Sequence, residues 1–357
     1  MKKNYVFNFE ESLIYDFLSL PDLLFHGETL NETYRELLDP ETERFWESIK
    51  QKLEPLKSEL EKFYNKDFSM IELLYNRFPF TGFTDPLVYL GEINKMEKGV
   101  LIEALFYGLV ISLENIKEQE AIQEKVKVLV ENAADCMTWL NSLPILDAQK
   151  WHLFCTIQDP IKMVQALESV MSQVYPIYLE FFKDVKEAVK VYGFQLEKEL
   201  NEGGEGYLTQ ITNGIFSEEL FTKDTVQLFV SAVFVERLMI NESNEVAMIV
   251  WGFKMKETFQ KIKVFNENKL TERITFFKNL GDRTRYEVLR LVASGVTSTK
   301  EIAGALGVSS ATISYHLSNL TLANILKIGK TNDTAAYYLN KDFMLQVLED
   351  FKGDIFK

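Results

Sequence analysis

Ser298-Thr299-Lys300-Glu301-Ile302-Ala303-Gly304-Ala305-Leu306-Gly307-Val308-Ser309-Ser310-Ala311-Thr312-Ile313-Ser314-Tyr315-His316-Leu317-Ser318-Asn319-Leu320 is the stretch whose reading decides the fold. Ser298 with Glu301 three residues on is a capping box, so a helix starts there. Ile302, Ala303 and Leu306 give that helix an inward face. Gly307 supplies the tight turn that lets two short helices cross steeply, and Val308 fills the gap between them. Ser309 caps a second helix, on which Ile313, Leu317 and Leu320 recur at i, i+4 and i+7 as a buried stripe. The opposite face holds Ser310, Ala311, Thr312, Ser314, Tyr315, Ser318 and Asn319. These are small, hydrogen-bonding side chains with one aromatic. Hydroxyls and amides of this kind suit base edges and phosphates in a DNA major groove, and the free N–H groups at the helix start suit a phosphate.

The flanking residues extend the pattern. Asp282 caps a helix predicted over 283–293, with Tyr286, Val288, Leu289, Leu291 and Val292 on its apolar face and Gly295 ending it. After the second helix, residues 326–330 alternate, 331–334 form a turn and 335–339 return. That is a β-hairpin, a wing, with Lys327 on its first strand and Lys330 near its tip. Capped helix, capping box, glycine turn, polar-faced helix and hairpin follow in order. Together they imply a winged helix-turn-helix that meets double-stranded DNA through Thr299, Ser309, Ser310, Thr312, Ser314, Tyr315, His316, Lys327 and Lys330. The alternative is a winged-helix protein–protein interaction module, which the low number of basic residues permits.

Leu280-Gly281-Asp282-Arg283-Thr284-Arg285-Tyr286-Glu287-Val288-Leu289, residues 299–317 and Ala336-Tyr337-Tyr338-Leu339 resemble the opening motif, the reading head and the wing end of the ArsR/SmtB family of winged-helix repressors. The resemblance implies operator binding as a homodimer, usually with repression. It places the dimer contact on helices flanking the reading head, here 272–279 and 342–351. Phe276, Phe277, Phe343, Val347, Leu348 and Phe351 are its candidates, with packing against the chain's own amino-terminal body as their other role. The chain departs from the family in two ways. Metal-sensing members carry a Cys-x-Cys box where this chain has Ser298-Thr299-Lys300, and no cysteine follows Cys155, so the thiolate metal site is absent. No metal and no cofactor are expected. Ser318 and Thr321 stand where the family is often basic, which implies weak phosphate contact per subunit and reliance on dimer avidity. His316 matches the family's histidine and could touch a phosphate or serve local packing.

The wider composition frames this module. At 357 residues the chain is long enough for two or three domains, and 46% apolar residues exclude a disordered chain. The formal charge is -14, an odd balance for a partner of phosphates. Between residues 270 and 340, however, bases outnumber acids eight to five, so the negative charge belongs to the preceding body. An acidic body repels DNA and keeps non-specific binding low, or it is a solvated surface with no further meaning. Two cysteines, Cys136 and Cys155, make no disulfide framework, so the cytoplasm is the expected compartment. Residues 1–10 lack the apolar core of a signal peptide. The most apolar run, 99–113, contains Glu103 and is too short to span a bilayer, which predicts a buried helix and no membrane partner.

In the body, helical spacing predicts helices over 9–20 and from Pro40, capped by Asp39, to about 64 with a disturbance at Pro55. A loop follows at 79–86. Helices then dominate from 98 to 199, with breaks near Pro144, Pro160 and Gly193, and 201–206 is the most flexible stretch by composition. Two β-type runs, 225–240 and 246–253, flank a turn at 241–244 and read as a hairpin. Residues 254–266 then form a linker helix. The fold class is mainly α with a small β component (α+β): a helical domain with a β-hairpin over 1–265 and a winged helix-turn-helix over 266–357. No motif in 1–265 carries catalysis, so no enzyme is expected. Gly203-Gly204-Glu205-Gly206 lacks the Lys-Ser/Thr of a phosphate loop. His152 and Cys155 sit three apart on a helix, where a buried pair in a Trp151/Phe154 core is a better reading than a two-ligand metal contact. His26 stands alone, and Glu10-Glu11 suits a solvated surface. The many aromatics could line a pocket for a small-molecule effector, with plain core filling the preferred reading. The body could also set dimer spacing on DNA.

Overall fold

In a computed structural model, residues 3–25, 40–65, 68–113, 119–143, 145–242, 247–267, 269–331 and 334–356 are described. The chain is mainly helical with few strands, an α+β fold. Strand β1 (Asn4–Phe7) runs straight into the helix Phe9–Ser19, because the Asn8 side chain accepts from the Glu11 N–H and stops the strand. Strands β2 (Thr225–Ser231), β3 (Leu238–Glu242) and β4 (Ala247–Gly252) complete a sheet of order β1-β2-β4-β3. β1, β2 and β4 are parallel and β3 is antiparallel to β4. β4 is buried at every position, as expected of a parallel strand covered on both faces.

The expected hairpin is present as β3 and β4, around a turn that lies outside the described residues. The expected first run, 225–240, is not one strand. It breaks at Ser231, and the reason is a carboxylate. Asp16, fully buried in Phe9–Ser19, accepts the Ser231 hydroxyl at 2.5 Å and the Ala232 N–H at 2.7 Å, which keeps that N–H from extending the ladder. Residues 232–237 turn through the core before β3 begins.

Helix Pro40–Leu53 passes through a 3-10 turn at Glu54–Leu56 into Lys57–Leu60, the disturbance Pro55 predicts. Asp39, Pro144 and His26 lie outside the described residues. Helix Lys98–Leu113 is the buried one expected, with Leu101, Leu105, Leu109 and Val110 in the core. Pro160 opens Pro160–Phe182, capped by Asp159. Gly193 does not break a helix: Lys186–Gly203 runs through it. A Cβ there would lie 2.1 Å from the Phe7 ring, so glycine is what lets this helix lie against β1. Residues 203–206 do form a turn, with Gly204 and Gly206 at positive φ. The Trp151/Phe154 core is also corrected. Trp151 is 65% exposed and stacks on Phe154 at the surface, because helix Asp147–Gln158 turns Leu153 and Thr156 inward instead. Glu11, read as solvated, is buried and accepts the Gly82 N–H. Among the described residues no helix is long and apolar enough to cross a membrane.

The described residues hold two hydrophobic cores. The first runs from Tyr5 to Ile262, the second from Phe276 to Val347. Helix Met255–Glu267 leads from one toward the other, followed by Lys269–Leu280. The reading end then folds as helices Arg283–Ala293, Thr299–Leu306 and Ser310–Leu322, strands β5 (Leu326–Thr331) and β6 (Thr334–Leu339), and helix Lys341–Ile355. It touches the body through Leu322, which packs on the first core, and through Lys300, whose ammonium donates to the Ile111 carbonyl in the last turn of Lys98–Leu113.

Candidate nucleic-acid interface

Local hydrogen bonds set each helix of the reading end. The Asp282 carboxylate accepts the Arg285 N–H at 2.8 Å. Ser298 Oγ accepts the Glu301 N–H at 3.2 Å and donates to the Glu301 carboxylate at 2.8 Å. Gly307 closes Thr299–Leu306 at φ 68°, a left-handed cap that glycine adopts without strain. Ser309 Oγ accepts the Thr312 N–H at 3.1 Å and starts the reading helix Ser310–Leu322. Ile313, Leu317 and Leu320 are fully buried in the second core with Val288 and Ile302. Tyr286 is exposed, contrary to expectation. Arg285 is buried in its place, held 3.8 Å from the Asp282 carboxylate that caps the same helix.

The opposite side of the reading helix is open. Thr312, Ser314 and Ser318 are exposed, and Ser309, Ser310, Ala311 and Tyr315 are half-buried. Asn319 leaves this face: it is fully buried and its amide donates to the Tyr315 carbonyl at 2.9 Å. His316 also turns away. Its side chain is only 12% exposed, with Nδ1 4.0 Å from the Asp282 carboxylate. Burial holds the imidazole below its ordinary range, against the pull of Asp282 and with Arg285 assisting, so the ring is uncharged at neutral pH. It is a packing residue rather than a phosphate cation. The reading helix itself carries no Lys or Arg.

A β-hairpin follows the reading helix, and its first strand packs against that helix. β5 and β6 pair in register from Leu326↔Leu339 to Thr331↔Thr334. The Tyr337 N–H donates to the Thr297 carbonyl at 3.0 Å, and its hydroxyl, pushed up by burial, hydrogen-bonds Thr299. Thr299 is thus half-buried and partly committed within the domain. Lys327 is exposed on β5, while the Lys330 side chain lies outside the described residues.

Residues 280–328 match the helix-turn-helix domain family. No curated protein and no solved structure matches the chain. The chain carries a helix-turn-helix domain at this end, which supports DNA binding in transcription regulation in general.

The helices flanking the helix-turn-helix arrange the dimer candidates unevenly. Phe276 and Val347 are buried in the domain's own core, so they are corrected from surface candidates to packing residues. Phe343 is half-buried against the same core, and the Phe351 ring packs at a tilt against Phe277, centroids 4.8 Å apart. Phe277 and Leu348 stay exposed. Sequence reasoning missed Leu270, Ile274 and Leu345, all more than half exposed. Leu270, Ile274 and Phe277 fall at i, i+4 and i+7 of Lys269–Leu280, an outward stripe with the same spacing as the buried one on the reading helix. The signal was present, but spacing alone does not say which way a stripe faces.

Proposed function

We propose that the chain is an ArsR-like transcription repressor that binds operator DNA as a homodimer. Residues 266–357 are its winged helix-turn-helix domain and 1–265 an effector or dimerisation body. The observation that carries the reading is the two-sided helix Ser310–Leu322: Ile313, Leu317 and Leu320 hidden, Thr312, Ser314 and Ser318 open. The Ser314 and Ser318 hydroxyls, able to pair with base edges, face outward on a helix whose orientation is fixed by its own core, while the Thr312 hydroxyl shares a hydrogen bond with Ser309 Oγ at 3.0 Å. The wing with Lys327 supports a phosphate contact beside it. The exposed stripe Leu270/Ile274/Phe277, with Leu345 and Leu348 also exposed on the helix packed against it, supports a second copy at this end of the molecule, since exposed apolar surface marks association. The two separate cores support the division near residue 265. The reading calls on no catalysis, metal or cofactor.

The test is selection of a binding site from random duplex DNA, followed by affinity of the full chain over a salt series. The expected result is one enriched, two-fold symmetric site, bound with a shallow salt slope because few bases face the DNA. Retention of no duplex above scrambled DNA at low salt overturns the reading. One observation favours a second reading, a protein-binding winged helix: the reading helix lacks any Lys or Arg. Under that reading no operator is enriched, and substitutions on the hydroxyl face weaken a protein complex instead.

A further inference from the structure

Helices Met70–Tyr75, Lys98–Leu113 and Asp147–Gln158 surround a cavity of about 470 Å³ in the body. That volume is in the range of small-molecule sites. Its walls are mostly apolar, with Phe25, Phe68, Met70, Leu73, Leu105 and Leu153. Several of the polar groups on the walls are already committed, while the buried His152 Nε2 has no hydrogen-bond partner and leaves one polar contact open. The Tyr64 hydroxyl donates to the Leu18 carbonyl at 2.9 Å, the Thr156 hydroxyl to the His152 carbonyl at 2.9 Å, and the Gln149 carbonyl oxygen accepts the Leu146 N–H at 3.0 Å. His152 brings no charge, because burial, with the Lys62 ammonium nearby, holds its imidazole below the ordinary range. At the rim Glu61 and Lys62 are exposed and opposite in sign. Glu61 and Lys62 offset each other for an ionic ligand, and beyond the one contact that the neutral His152 Nε2 can make, a ligand rich in polar groups would lose its water without replacement.

The cavity also borders the route to the DNA-reading end. Leu105 on its wall and Ile111 belong to the same helix, and the Ile111 carbonyl holds Lys300 of Thr299–Leu306. Gly108 lies between them. A Cβ there would sit 2.4 Å from the Leu73 carbonyl oxygen, so this helix and Met70–Tyr75 are in backbone contact. The Lys300 ammonium sits where the last carbonyls of a helix and its dipole favour a cation.

We infer that this cavity is a binding site for a small, neutral, mainly apolar aromatic molecule, and that its occupancy is felt at the reading end through Lys98–Leu113 and Lys300. The inference rests on the regulator reading for its purpose, but its first test does not use DNA. Indole is titrated into the full chain by calorimetry, with indole-3-acetate and tryptamine as charged counterparts. Saturable indole binding, at least tenfold tighter than either counterpart, is expected. Ala148→Trp, at an exposed position on the cavity wall, removes that binding while the melting temperature of the free protein stays the same. Absence of saturable indole binding, equal binding of a charged counterpart, or intact binding in Ala148→Trp overturns the site. Once an operator is in hand, saturating indole is expected to change its affinity at least fivefold in the native chain and less than twofold in Lys300→Gln. An unchanged affinity in the native chain overturns the coupling and leaves the regulator reading standing.

Discussion

Asp16 and Ser314 are both polar residues inside helices, and the two halves of the molecule treat them in opposite ways. Asp16 faces inward and is used up, accepting the Ser231 hydroxyl and the Ala232 and Val233 N–H groups in a site closed to water. Ser314 faces outward on a helix whose caps and leucines hold it in place, and it serves nothing inside the domain's core. In the body, hydrogen-bonding capacity stabilises a chain crossing; in the reading end it is left over, prearranged, at the surface. Leftover capacity in a rigid frame is what a partner can recognise, since it costs little to order on binding.

The sharpest way to break this contrast is Asp16→Ala. It leaves a buried hydroxyl and backbone N–H groups without an acceptor and should lower unfolding free energy by about 4 kcal/mol in urea titrations. DNA affinity of the folded fraction should not change; a matching loss of affinity would show that the two halves are not separable in role. The same region sets the pH dependence. Burial pushes Asp16 up to about 7 and Asp22 up to about 8, in the first case against the hydrogen bonds it accepts. Each folded value lies above the ordinary 3.8, so the folded chain holds protons that the unfolded chain has released. Their stabilising contribution is therefore complete below about pH 4 and is lost as pH rises through 7 and 8. Chemical denaturation from pH 4 to 8 should show falling stability, with a slope of at most about 1.4 kcal/mol per pH unit for each group, and Asp16→Asn should flatten it.

On the other side of the contrast, Thr312→Asp with Ser314→Asp puts two carboxylates on the open face. Operator affinity should drop at least a hundredfold, about 3 kcal/mol, with the urea midpoint unmoved. Binding that survives the pair would move the functional surface off this helix. The smallest effect sharpens the role of the wing: Lys327→Ala should weaken binding about threefold across all sequences and reduce the salt slope by about one, the mark of a single phosphate contact. A sequence-selective loss would make Lys327 a base-reading residue instead.

The reading end was legible because its instructions are short-range. Asp282, Ser298 and Ser309 each cap a helix within three residues of themselves, and Gly307 makes its own turn. The misreadings there concern neighbours rather than elements. Tyr286 and Arg285 exchange places, and Asn319 and His316 turn inward, because one residue is a 100° step around a helix and the Asp282 carboxylate pairs with Arg285 on the inner side. In the body the elements missed depend on distant partners. β1 is four residues long and pairs with β2 more than two hundred positions away, and Gly193 was read as a break when its lack of a side chain serves Phe7. The cavity beside Leu105 was foreseen only as a general possibility, since its walls come from segments far apart in the chain.

What the amino-acid order determined alone is where helices start and stop and which residues recur on one side of each, since caps and periodicity act within a turn or two. Only the tertiary structure decided which side is covered. Leu270, Ile274 and Phe277 share the spacing of Ile313, Leu317 and Leu320, yet the first set is exposed and the second buried. Burial is a property of what else packs nearby, and that is set by contacts between elements that no local pattern encodes.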